Sequence, residues 1–139
     1  MPGSIKWDEA FSHSGWAFPL FCPLYSAHAE AGHDKHLTVL DVTDLAHPQV
    51  VSRFRTRDGV SIHNVQVVDG VAYISYYVDG LRVVDLRNPQ APREIGHYDT
   101  VPAGDERDIL QGVWGVRVLD GVVYLSDLET GTYALRVQV

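Results

Sequence analysis

From residue 37 onward, apolar and polar positions alternate in short runs, and each run is closed by turn-forming residues. Val65 and Val67 stand on one side of Asp69-Gly70, and Val71, Tyr73 and Ser75 on the other. A period of two is that of a strand with one face buried, and Asp-Gly supplies the positive φ of a tight hairpin. Asp120-Gly121 repeats the device. Pro48, Pro89 and Pro92 each follow a run ending in Asp and cannot continue a ladder, so they mark connections. Residues 50–56 and 93–99 then read as outer strands. No stretch of ten or more residues carries a 3.6-residue apolar period, so the pattern predicts an all-β chain without helix.

The runs also repeat. Val65-Gln-Val-Val-Asp-Gly-Val-Ala-Tyr-Ile-Ser75 matches Val116-Arg-Val-Leu-Asp-Gly-Val-Val-Tyr-Leu-Ser126 at seven of eleven positions. Gly80 follows Ser75 by five residues, as Gly131 follows Ser126. A second pair sets Leu37-Thr-Val-Leu-Asp41 beside Leu81-Arg-Val-Val-Asp85. The offsets are 116 − 65 = 51 and 81 − 37 = 44 residues. A period of about 40–50 residues with this strand content belongs to the blades of a β-propeller.

The segments LTVLDVTDLAHPQVVSRFRT and LRVVDLRNPQAPREIGHYDT resemble LVIVD repeats, and the likeness extends well over residues 37–139 and poorly over 1–36. It implies a β-propeller of four-stranded antiparallel blades, and it leans toward export. About chemistry it implies little, because the family is functionally diverse.

The strand count predicts a first blade over residues 13–58, a second over 59–100, and three strands of a third over 101–139. Residues 1–12, with Ile5–Phe11 as a strand, are left over and match the outer strand missing from the last blade. Three blades cannot close a ring, since propellers have about four to eight. Two copies give six blades under a two-fold axis, each N-terminal strand completing the partner's last blade. The expectation is a homodimeric six-bladed ring. The alternative is a piece of a longer single-chain propeller.

Composition narrows the partners. The chain has 139 residues, 11 basic and 18 acidic, for a net charge of −7. That balance lacks the basic face that nucleic acid requires and gives anionic membranes nothing to attract. Its one cysteine, Cys22, permits no intrachain disulfide. No apolar run approaches the ~18 residues of a membrane span. Trp7, Asp8 and Glu9 interrupt the place where a signal peptide would be apolar, so the chain as written reads as soluble and unexported.

Irregular sequence gathers in the loops expected on one face of the ring. His63 and Asn64 open the inner strand of the second blade, Trp114 holds the aligned place in the last, and Trp16 falls near it in the first. His13 lies just before that first inner strand, and Tyr76 follows the second strand of its blade, beside Tyr77. Together these predict a ligand pocket at the channel mouth with aromatic walls and a few polar groups. A structural role for His63 and Trp114, capping backbone and packing between blades, is the competing reading. The stretch Ala27–His36 adds His28, His33 and His36 with Glu30 and Asp34. Imidazole and carboxylate suit a divalent metal such as Zn, Mn or Fe, although HxxxxHxxH is no recognised zinc signature. Asp105–Asp108 supplies further carboxylates.

Two functions follow as expectations. One is a binding module for a small molecule or protein at the channel mouth. The other is a metal-dependent hydrolase or lyase using the same histidines and carboxylates to activate water. The motifs of serine hydrolases and phosphate-binding loops are absent. His47 and His97 fall away from this face.

Overall fold

The computed structural model describes residues 11–19, 24–31, 36–101, 108 and 110–138, the first two segments as backbone. Among them there are eleven strands and no helix. Sheet 1 is β1 (Phe11–Pro19), β2 (Leu24–Ala31), β3 (Leu37–Asp41) and β4 (Gln49–Phe54). Sheet 2 is β5 (Val65–Val68), β6 (Val71–Ser75), β7 (Leu81–Asp85) and β8 (Arg93–Tyr98). Sheet 3 is β9 (Val113–Leu119), β10 (Val122–Asp127) and β11 (Gly131–Arg136). Each is an antiparallel meander in chain order, as the period-two runs predicted.

The hairpins form where the turn chemistry demands them. Asp69 and Asp120 have φ of 49° and 50°, and Gly70 and Gly121 both have φ of 74°. Positive φ at both central residues is the geometry whose twist matches that of paired strands. After β3 and β7 the carboxylates of Asp41 and Asp85 accept the backbone N–H groups of Thr43 and Arg87, each at 2.9 Å, and turn the chain before its prolines. The last two strands of sheets 1 and 2 carry the same register shift, between Val39 and Leu40 and between Val83 and Val84.

The sheets pack face to face in sequence. Leu37 and Val39 of sheet 1 meet Val65, Val67, Ala72, Ile74 and Val84 of sheet 2 in one core. Val71, Tyr73, Leu81 and Val83, on the other side of sheet 2, meet Val113, Val123 and Leu125 of sheet 3 in a second. Sheet 2 is therefore covered on both faces, and every residue of β6 is buried. Sheet 3 is covered on one, so β10 alternates between buried and accessible positions. The first strands of the three sheets stand side by side, β5 lying against both β1 and β9.

The strand boundaries sharpen the sequence division in one respect. Phe11 and Ser12 pair with Ala31 and Glu30 of β2. They belong to sheet 1 and not to a strand that completes another sheet. Residues 1–10, the rest of that expected strand, lie outside the described residues, as does Cys22.

Candidate functional site

The site is built where β5 begins. His63 is 2% exposed, and its ring lies 4.5 Å from that of Trp114 and 5.5 Å, edge-on, from that of Tyr77, centroid to centroid. Its Nδ1 donates to the Trp114 carbonyl oxygen at 2.7 Å; the acceptor has no proton to give, so Nδ1 carries the hydrogen. The same carbonyl accepts the Ser75 hydroxyl at 2.8 Å. That hydroxyl in turn receives the Asn64 N–H at 2.8 Å. One carbonyl of sheet 3 is thus held by two side chains of sheet 2.

Tyr77 reaches this cluster because of its backbone. Its φ is 43°, a left-handed conformation uncommon for a bulky residue. There it exchanges two hydrogen bonds with Val113, at 3.1 and 3.0 Å, stitching the end of sheet 2 to the start of sheet 3. Gly112 sits alongside with φ of 97°, and a Cβ there would lie 2.5 Å from the Tyr77 carbonyl oxygen. Only glycine permits that approach.

Further along, Gln66 does with a side chain what a strand does with backbone. Its amide donates to Val118 O at 3.2 Å and accepts Val118 N–H at 2.7 Å. The loop ends are tied as well. The Thr56 hydroxyl donates to Asp79 at 2.6 Å, and Arg57 donates to the same carboxylate at 2.7 and 3.2 Å. Forty-four residues on, the Thr100 hydroxyl donates to Asp127. Each pair joins the end of one sheet to the turn after the second strand of the next. Burial pushes the Asp127 carboxyl up, but the donors from Thr100, Thr130 and Glu129 outweigh it and hold it below the usual carboxylate range.

The predicted residues therefore divide. His63, Asn64 and Trp114 come together, and Trp114 as a residue stays 43% exposed. Tyr76 does not join them: it is fully buried in the core between sheets 1 and 2. Its hydroxyl accepts the Thr56 N–H at 3.3 Å, and burial raises it to about 12. Tyr77 takes the place expected of it.

Register also corrects the first sheet. Leu37 pairs with Ala29, which pairs with Ser14, while Leu81 pairs with Ser75, which lies opposite Asn64. Ser14 thus matches Asn64 and Gly115, and His13 rather than Trp16 matches His63 and Trp114. The side chains of His13, Trp16, His28 and Glu30 are not among the described ones.

Of the proposed metal ligands, His33 lies outside the described residues, together with Asp34 and residues 105–107. His36 stands before β3 and lines a cavity with Arg53, Phe54 and Arg55. Among the described residues no three His, Cys, Asp or Glu side chains are grouped to hold a metal ion. His47 pairs with Asp44 at 2.8 Å and His97 with Glu94 at 3.3 Å, away from the cluster. Sequence reasoning passed over Ser75, Gln66 and the Thr–Asp pairs. The repeated serine at the end of the eleven-residue match was the available signal.

Residues 31–56 and 61–100 match the family model described as the LVIVD repeat. No curated protein matches the chain. Among the described residues no helix is long and apolar enough to cross a membrane.

Proposed function

The chain belongs to the LVIVD-repeat family, and we propose that it is a β-propeller binding module. Its three sheets serve as blades, and the channel mouth receives a small ligand beside Trp114. The succession of antiparallel sheets with adjacent first strands supports the propeller reading. Two copies close a ring of six blades.

The observation that carries the binding role is the partly exposed indole of Trp114, fixed between buried, hydrogen-bonded neighbours. A large aromatic surface on a rigid, preorganised wall binds with little ordering cost. His63, with Nδ1 held by a carbonyl, orients this wall rather than offering both nitrogens to a ligand.

The test is a thermal-shift screen with a panel of metabolites against the wild type and Trp114→Ala. A ligand of the mouth raises the wild-type Tm and leaves the variant unmoved. Equal shifts in both proteins would place binding elsewhere and overturn the assignment.

A further inference from the structure

Sheet 1 gathers positive charge at its outer rim. Three of the chain's 11 basic residues, Arg53, Arg55 and Arg57, fall within five positions of a chain whose net charge is −7. Strand alternation sorts them. Phe54 pairs with Leu37, and both pack in the core shared with sheet 2. Arg53 pairs with Thr38 and stands on the opposite face, and Arg55 follows it there. His36, Arg53, Phe54 and Arg55 line a cavity of about 370 Å³, and both arginines are exposed. Thr38 and Leu40 of β3 are buried on that face, so the cavity lies outward of them, at the end of β4.

The same rim of sheet 2 balances its charges. An offset of 44 residues sets Thr38, Val50, Arg53 and Arg55 beside Arg82, Glu94, His97 and Asp99. On sheet 2 the cations meet carboxylates: Arg82 reaches Glu94 at 3.5 Å and Asp99 at 3.1 Å, and His97 reaches Glu94 at 3.3 Å. On sheet 1 valine and arginine stand in place of both carboxylates. Arg57 is held by Asp79 at 2.7 Å. Arg55 meets Asp58 at 2.7 Å in an exposed pair, a contact of little strength that leaves donors of a five-N–H guanidinium for a second acceptor. Arg53 pairs with no carboxylate among the described residues.

We infer that this cavity binds a small phosphate monoester, whose phosphate supplies the charge that Glu94 and Asp99 supply on sheet 2. The site is separate from Trp114 and does not rest on the binding role proposed there. Planar guanidinium forks match the oxygens of a phosphate, and a phosphate ester brings about two negative charges and three acceptor oxygens. Arg53 and Arg55 take those oxygens, and Phe54 lines the space for the organic part. The volume falls in the range of about 300–1,000 Å³ found for small-molecule sites. Two guanidinium groups sharing the cavity with His36 repel a divalent cation and attract an anion. A neighbouring blade leaves such a rim open. At the matching places His97 and Asp99 keep side chains 55% exposed, although sheet 1 packs on that face of sheet 2.

The test is calorimetric titration of the full chain with phenyl phosphate at fixed ionic strength. Saturable binding at one site is expected. Arg53→Ala, its far-UV spectrum unchanged, weakens it about ten- to a hundredfold, the worth of charge-assisted hydrogen bonds. Arg53→Lys keeps the charge without the fork and loses less. Arg136→Ala, which removes an exposed arginine of sheet 3, and Trp114→Ala both leave the affinity unchanged. The absence of saturable binding, an equal loss in Arg136→Ala, or binding lost in Trp114→Ala and kept in Arg53→Ala would each overturn the inference. Inorganic phosphate or benzoate binding as tightly as phenyl phosphate would overturn the choice of a phosphate ester. None of these results bears on a ligand whose effect depends on Trp114 and survives Arg53→Ala, so the two sites fail separately.

Discussion

Replacing His63 by alanine separates a structural histidine from a ligand-binding one. A His63 that only lined a ligand pocket would leave a folded variant with altered binding. The structure predicts a substantial loss of stability. The side chain is 2% exposed and donates to Trp114 O at 2.7 Å, a contact of about 0.5–1.5 kcal/mol. Its ring packs at 4.5 Å on Trp114 and 5.5 Å on Tyr77, adding about 0.5–1.5 kcal/mol. The cavity left beneath Trp114 adds about 1 kcal/mol more. The carbonyl itself keeps the Ser75 hydroxyl, so no orphaned acceptor enlarges the sum. The total is about 2–4 kcal/mol. With a urea slope of about 2 kcal/mol/M, the midpoint falls by about 1–2 M at fixed protein concentration. His63→Asn, which retains an N–H able to reach the carbonyl, should lose about half as much. A midpoint shift in the alanine variant within ~0.2 M of wild type would refute the structural role.

Other consequences are as specific. Gly80→Ala forces a Cβ into the Tyr98 carbonyl at φ of 73°, so it should cost about 2 kcal/mol or more, read by the same urea titration. Asp79→Ala removes the acceptor of the Thr56 hydroxyl and of Arg57, while Arg82 keeps Glu94 and Asp99, and should cost about 1–3 kcal/mol, with Asp79→Asn intermediate. Asp127 is depressed in the folded state, so its contribution is complete above its ordinary value of 3.8 and is lost as pH falls through the lower folded value. Acid unfolding of Asp127→Asn, followed below about pH 4, should therefore be shallower than that of wild type; an unchanged slope would contradict the linkage.

Backbone architecture was largely legible in the sequence, because it depends on local chemistry. Asp69-Gly70 and Asp120-Gly121 make hairpins for reasons contained in two residues, and the alternation around them gives the strands. Contacts between sheets were less legible. Nothing near Ser75 reveals that its partner is a carbonyl 39 residues away, and Gln66 reads as an exposed polar residue until it meets Val118. Tyr76 and Tyr77 are adjacent and both buried, yet Tyr76 enters the core between sheets 1 and 2 while Tyr77, at positive φ, packs on His63 and Trp114. The placement of His13 needed the strand register of β1, where a shift between Ser12 and Ser14 defeats counting along the sequence.

Sedimentation equilibrium of the untagged chain decides whether two copies make the proposed ring. A ring of two copies sediments as a single species at twice the 15.5 kDa of the chain. A folded species that remains at 15.5 kDa through the micromolar range would contradict it.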